Sequence, residues 1–426
     1  MVSSGSKDVP AWQDEDDKNV SVDIKSKDRL KKLRKSEEEE AIDGEEYAQR
    51  LRSQVLKVNN NVSWATRAAN VKSADGEEDG MNLLKSTAKL TGSQNRLLPS
   101  AVLDVERMKD ANISDVPDCV IQTVRFHTNS QLMMTAGLDK RLRLYQVDGK
   151  KNPKVQSVYF EDLPITSAEF SADGDEVFVS GRRKHFYVYN LAAAQIEKVE
   201  GVLGHHDRVL GQFCVSPDNK LISILSTCGG VQILSRKTKQ KIGDLKMNCD
   251  VNCCAYSPDG CYLYTAGDSP IVYQWDMRTR RCVRKIEDEG SLKISSLAVT
   301  GDGGLLACGS QNGVVNTYDV RGFHGHDPDA YGVIHPATRK SVMNLTTSIS
   351  QLRFSPDGQA LAMASHVKKE GLKILHVSSN SVFSNWPTSS TPLHYVSSVD
   401  FSANNRFLAI GNDRGKVLLY RLKHYL

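Results

Sequence analysis

Four cysteines, Cys249, Cys253, Cys254 and Cys261, crowd one stretch of the chain, and thiolates so close together are the raw material of a zinc site. Structural zinc, however, takes Cys pairs spaced two to four residues apart that converge tetrahedrally. Cys253 and Cys254 are neighbours, and neighbours in a strand point to opposite faces, which predicts buried thiols rather than ligands. His205-His206 and His324-Gly-His326 are adjacent or near-adjacent loop histidines with no third ligand nearby. Gly301-Asp-Gly-Gly304 has the glycines of a phosphate cradle but lacks the Lys-Ser/Thr pair and the following helix, so it reads as a strand turn. No nucleophile, base and orienting group stand together. No catalytic residue, metal ligand or cofactor is expected.

The elements that carry these residues repeat. Seven times between residues 119 and 411 the chain writes an aromatic or apolar residue, usually Ser or Thr, a polar turn and then a small, apolar run. Examples are Phe170-Ser-Ala-Asp-Gly, Tyr256-Ser-Pro-Asp-Gly and Phe354-Ser-Pro-Asp-Gly, at a period of roughly 41 to 55 residues. Pro, Asp and Gly in that order are turn chemistry. The flanking runs, such as Val120 to Phe126 and Leu305 to Gly309, alternate or are small and apolar, which reads as strand. A third strand follows and usually ends in an aromatic, as at Tyr145, Tyr189, Trp275, Tyr318 and Tyr420. Trp275-Asp276 and Tyr318-Asp319 resemble the dipeptide that names the WD repeats. The fold class is therefore all-β, a seven-bladed WD-repeat β-propeller over residues 91–426. The seventh repeat ends after its third strand, and an open edge invites aggregation. A segment within residues 97–108 is expected to supply the missing strand.

The chain has 426 residues, 39% of them apolar, and a net charge of +4. That charge is too small to announce a global field for nucleic acid, so any RNA contact must be local. No apolar run approaches the roughly 20 residues needed to cross a bilayer, and residues 1–20 have no signal-peptide core. An intracellular protein is expected. The nine cysteines, several of them (Cys214, Cys253, Cys261, Cys308) placed inside strands, then read as free buried thiols. The sequons at Asn61, Asn112 and Asn344 are without meaning in that compartment.

Residues 1–90 form a charged N-terminal extension, basic from Lys25 to Lys35 and acidic from Ser36 to Glu46, expected to be largely disordered alone. One helix near 45–58 stands out. Tyr47, Leu51, Val55 and Val58 recur on one face with Arg50, Arg52 and Gln54 off it, and Trp64 follows. That stripe suits docking into a partner's groove or packing on the propeller itself. Ser36, followed by acids, has the look of a kinase acceptor. Connections between third and fourth strands carry Lys150, Lys151 and Lys154, then Arg236, Lys237, Lys239 and Lys241, then Arg278, Arg280 and Arg281. The last two groups are candidate RNA contacts, diluted by the turn acids Asp173, Asp218, Asp259 and Asp357 on the same rim. An insertion from Gly322 to Thr338 separates two strands of the fifth repeat on that rim, either a binding loop or an idle one.

Several phrases are not generic to propellers: Leu103-Asp-Val-Glu-Arg-Met-Lys-Asp-Ala-Asn112, Asp288-Glu-Gly-Ser-Leu292, Val382-Phe-Ser-Asn385 and the ending Tyr420-Arg-Leu-Lys-His-Tyr425. With Tyr47-Ala-Gln-Arg-Leu-Arg-Ser-Gln54 and Trp64-Ala65, the chain resembles the U-three small nucleolar RNA-associated protein eighteen family. The resemblance implies a non-enzymatic scaffold in the nucleus and nucleolus, within the UTP-B subcomplex of the small-subunit processome. Its partners would be other processome proteins, U-three small nucleolar RNA and precursor ribosomal RNA, without a membrane. Some members recruit the exosome's helicase through an N-terminal Leu-Phe-x-Asp type motif. Val20-Ser-Val-Asp23 approaches it but lacks the aromatic, so helicase recruitment does not carry over. Trp275-Asp-Met-Arg278, nearly repeated at Tyr318-Asp-Val-Arg321, resembles instead the box by which propellers serve as substrate receptors of a cullin-type ubiquitin ligase. That is the alternative function.

Overall fold

The structure, a computed structural model, describes residues 19–25, 30, 33–36, 39–58, 97–129, 131–200, 212–325, 329, 332–388 and 390–425. It comprises two compact units, Met1–Asn95 and Arg96–Leu426.

In the second unit the repeats become seven antiparallel sheets, each built outward from an inner strand. The Ser-Pro-Asp-Gly tetrad makes the first reversal of each. In blade four Gly260, at φ +67°, donates to the Ser257 carbonyl, while Ser257 N–H bonds Tyr262 O at 2.9 Å. Thr300 with Gly303, and Ser355 with Gly358, repeat the same bond. Small residues close the second strand because backbone lies directly against them. A Cβ on Gly267 would stand 1.8 Å from the Asp250 carbonyl oxygen. Third-strand aromatics bury fully between blades and mostly bond through their polar tips. Tyr145 Oη donates to Asp115 O at 2.6 Å and Trp275 Nε1 to Thr265 Oγ1 at 2.8 Å. Thr265 Oγ1 in turn donates to Met247 Sδ at 3.0 Å.

The seventh blade is closed by the far end of the chain. Val105–Arg107 pairs antiparallel with Val417–Leu422, from Val105 opposite Leu422 to Arg107 opposite Tyr420. Leu98 and Leu103 sink into the core of blades six and seven beside Phe383, Trp386 and Leu393. The Asn385 side chain bonds both backbone groups of Leu103, at 3.1 and 2.9 Å. Asn112, fully buried, accepts from Val417 N–H and donates to Gly415 O. It is a second clasp on the same blade, a role its sequon context did not suggest.

Inner strands of neighbouring blades lie side by side around the axis, the first beside the seventh. Their facing backbone groups are not laddered to each other, so side chains take the bonds. One register position, the residue before the terminal aromatic or apolar residue of each inner strand, reads Arg125, Glu169, Cys214, Ala255, Ala298, Arg353 and Asp400 around the ring. From blade six through seven and one to two the charges alternate. Asp400 accepts from Arg353 Nε at 2.9 Å and from Phe126 N–H at 2.8 Å, with Arg125 Nη1 3.7 Å away. Arg125 Nη2 then bonds Glu169 at 3.0 Å, and Glu169 accepts from Val215 N–H at 3.2 Å. The middle of this belt crosses the junction where first and last blades meet.

Cys253 and Cys308 are buried as expected, but Cys261 is exposed. It occupies the turn before Tyr262–Gly267 rather than the strand itself, where side chains face water.

Removing residues 97–107 is expected to abolish cooperative melting and leave insoluble protein; a soluble truncation with a single sharp transition would show that the strand is dispensable. Asp400→Ala should cost about 3 kcal/mol in urea unfolding, because two arginines and one N–H lose their shared acceptor and Asp400 is buried. A loss within about 0.5 kcal/mol, the range of ordinary surface substitutions, would show that the belt contributes nothing.

Candidate partner-binding surfaces

The inner strands enclose an axial channel of about 1140 Å³. Its wall holds the belt, whose four charges are all engaged by one another or by backbone. Toward the end of the channel where each inner strand begins, the lining is mostly uncharged hydrogen-bonding groups such as Gln122, Thr166, Asn252, Ser295, Ser350 and Ser397, with Asp413 and His366 among them. Among the described residues no group of three His, Cys, Asp or Glu is placed to hold a metal ion. Cys253 lies against Ala266 O, and burial pushes its thiol above the usual range.

The basic loops do share a rim with the turn acids, and that neighbourhood divides them. Arg236 is held by Glu176 at 2.9 Å and by Asp173 at 3.1 Å. Lys239 pairs with Glu197, and Lys241 with Asp244 at 2.6 Å. Arg280 reaches from blade four to the Ile242 carbonyl of blade three at 2.9 Å and covers the outer strand there. Lys237, Arg278 and Arg281 are exposed and have no ion pair among the described residues. The seven candidate contacts therefore contain three uncommitted cations, split between two loops.

Trp275-Asp-Met-Arg278 is a closed local turn. Asp276 accepts from Arg278 N–H at 2.8 Å and from Thr279 Oγ1 at 3.0 Å, and these bonds, the Arg278 N–H first, hold its carboxyl below the ordinary range. Trp275 is buried. Of this box only Arg278 faces outward.

The blade-five insertion does not merely separate two strands. Val333–Ile334 pairs in parallel with blade four's outer strand, Lys285 opposite Val333 and Ile286 opposite Ile334, giving that blade a fifth strand. Phe323, Val333 and Ile334 are buried. His335 places its ring nitrogens 3.1 Å from Glu287 and 3.4 Å from Asp329.

In the first unit Ser21–Asp23 pairs antiparallel with Ala41–Asp43, and the helix Gly44–Val58 follows directly. The Val20-Ser-Val-Asp23 stretch therefore contributes to a hairpin. Tyr47 and Leu51 are half-buried; the side chains of Val55 and Val58, and all of Trp64, lie outside the described residues. Arg50 corrects the expected face. It is the most buried described side chain of the helix, 8% exposed, bonding Leu33 O at 3.0 Å, Glu39 at 2.8 Å and Glu46 at 2.8 Å. A helical wheel counts Arg as solvent-facing, whereas here a guanidinium fork collects acceptors from a loop and from its own preceding turn. Lys25 likewise pairs with Glu40, so the basic and acidic blocks meet each other.

The WD domain, G-beta repeat model matches residues 239–276. That span runs from the outer strand of blade three through the third strand of blade four, so one sequence repeat straddles two blades. The U3 small nucleolar RNA-associated protein 18 homolog of Arabidopsis thaliana is 41% identical over 423 residues, covering 97% of this chain and 76% of that protein. This chain belongs to the U3 small nucleolar RNA-associated protein 18 family. The Homo sapiens homolog of that family is 35% identical over 422 residues, covering 98% of the chain and 74% of the human protein. The Saccharomyces cerevisiae U3 small nucleolar RNA-associated protein 18 is 32% identical over 485 residues, 97% of this chain and 79% of the yeast one. The likeness to this family thus takes in the N-terminal unit as well as the blades.

Arg50 holds the Glu39 carboxyl down at about 2, with the Lys35 backbone N–H helping. A carboxylate lowered on folding stabilises above its unfolded value near 4.3 and loses that contribution as pH falls toward 2. Amide protection at Ile42 and Arg50, corrected for the intrinsic pH dependence of exchange, should therefore fall across that window, and Glu39→Gln should flatten the change. Protection that ignores both pH and the substitution would separate Glu39 from the order of this hairpin and helix.

Proposed function

We propose that this protein is a non-enzymatic scaffold of ribosome biogenesis, helping to assemble the small-subunit processome on precursor ribosomal RNA for 18S rRNA maturation in the nucleolus. The observation that carries the reading is family membership over 97% of the chain, with relatives whose names state an association with U3 small nucleolar RNA. The site chemistry agrees with it. Channel charges that another protein might use for turnover are here spent on the blade seams, in bonds such as Arg353 to Asp400 and Arg125 to Glu169. A rigid ring of that kind acts by presenting surfaces, and its loops and rims hold several partners at fixed separations.

The partners proposed are other processome proteins of the UTP-B subcomplex, U3 small nucleolar RNA and precursor ribosomal RNA. Lys237, Arg278 and Arg281 are rim cations available to phosphates, as are the exposed Lys150 and Lys151 of blade one, and the half-buried Tyr47 and Leu51 begin the stripe offered to a protein groove. Arg236, Lys239 and Lys241 act on that rim through their acidic partners, as parts of its framework. The ligase-receptor alternative loses ground because Asp276 closes its own turn.

Purification of the tagged full chain from nucleolar extract should recover precursor ribosomal RNA, U3 RNA and processome proteins, with crosslinks at Lys237, Arg278 or Arg281. Recovery of a cullin adaptor without these RNAs would replace the scaffold by the receptor reading.

A further inference from the structure

The face opposite the rim just described is built from the turns between second and third strands and from the connections between blades. In three of the seven blades this turn holds an acid or amide that is already occupied. Asp139 in blade one accepts from Arg141 N–H and pairs with Arg143. Asp268 in blade four accepts from Asn252 and pairs with Lys293 at 3.1 Å. Asn412 in blade seven accepts from the N–H groups of Arg414 and Lys416. Such residues cap the turn with their own side chains.

Blade six instead carries exposed Lys368 and Lys369 in this turn, and blade two goes further. Its turn, between Glu176–Gly181 and His185–Asn190, is Arg182-Arg183-Lys184. All three are exposed, and none has an ion pair among the described residues. The platform beneath them is fixed. Arg183 N–H bonds Gly181 O at 2.8 Å, and Gly181 lies so close to Pro164 that a Cβ would stand 2.2 Å from its carbonyl oxygen. Across the blade, Lys198 stands 3.7 Å from Glu200, which takes up the nearest acid of the outer strand.

We propose that the Arg182-Arg183-Lys184 turn is a contact for the phosphate backbone of RNA, on the face opposite Arg278 and Arg281. Three consecutive uncommitted cations on a fixed turn match closely spaced phosphates, and two of them are arginines, whose planar fork binds phosphate oxygens bidentately. A protein interface ordinarily centres on a desolvated apolar or aromatic anchor. The two strands flanking this turn offer none: every large apolar side chain from Val177 to Tyr189 is buried. The choice of RNA over another polyanion rests on the reading in the preceding subsection.

The test uses the full chain, wild type and Arg182→Gln/Arg183→Gln/Lys184→Gln, titrated with a 20-nucleotide single-stranded RNA and an RNA hairpin over a range of salt. A single strand contributes about −0.7 to the slope of log affinity against log salt for each phosphate neutralised. The triple variant should therefore flatten the slope by about 2, with an unchanged melting temperature. An unchanged slope overturns the assignment, as does a change produced instead by Arg278→Gln/Arg281→Gln. Preferential binding of an acidic peptide by the wild type, lost in the triple variant, makes the turn a protein contact and overturns it too. If the wild-type chain binds neither RNA, this turn is no RNA contact, while recovery of precursor RNA with the native particle still stands or falls independently.

Discussion

Every inner strand of this ring has one edge with no strand to ladder against, and the whole structure depends on how that edge is satisfied. Backbone N–H groups there point toward the neighbouring blade, and leaving them bare would cost about 1–3 kcal/mol each. Side chains of the preceding blade meet them. Ser296 Oγ accepts from Leu352, Gln351 from Val399, Ser398 from Val124 and Asp400 from Phe126. The seams thus have polar stitching along the axis and apolar cores, such as that of Leu225, Ile233, Leu263 and Trp275, farther out. The alternating charges extend the stitching across the junction of blades seven and one, where the two ends of the repeat array must find each other. The clasp of Val417 by Asn112 reinforces the same junction from outside, and that of Leu103 by Asn385 does so at the seam of blades six and seven.

Because the axial polar groups are occupied by this duty, binding capacity moves outward to loops and edges. Those outer features divide into spent and unspent ones. Arg280, Arg236 and the Val333–Ile334 strand cover edges or neutralise acids, and a covered edge no longer templates association with another sheet. The unspent cations lie in separate places, which suits a protein that touches a large assembly at several points. A net charge of only +4 is compatible with that arrangement, since contact depends on local, uncommitted charge and not on a global field.

The N-terminal unit obeys the same electrostatic logic on a smaller scale. Its adjacent basic and acidic blocks fold onto each other as Lys25 with Glu40, and Arg50 of the helix joins them through Glu39. Arg50 stands in the packed position where the helical pattern placed apolar residues alone. The helix is thereby tied to its hairpin through a charged centre, leaving Tyr47 and Leu51 only half-covered.

Read alone, the chain determined its repeat count and its reversals, because Ser-Pro-Asp-Gly turns and period-two strands are local chemistry that needs no distant partner. It determined the membership of a family through phrases such as Leu103 to Asn112, and it showed that the adjacent Cys253 and Cys254 cannot converge on one metal. What only the tertiary structure decided is which charges remain free. Arg236 and Arg278 look alike in sequence, yet Asp173 and Glu176 from the adjacent blade claim the first, while the second makes no ion pair among the described residues. Arg182-Arg183-Lys184 reads in sequence as an ordinary turn, since its three adjacent free cations stand out only once the partners of the same turn in other blades are known. The Val333–Ile334 strand was equally hidden, because two residues carry no periodicity and their partner strand lies in another blade. Long-range pairing across blades has no signature in a single sequence window, and that is the physical limit of reading this chain in one dimension.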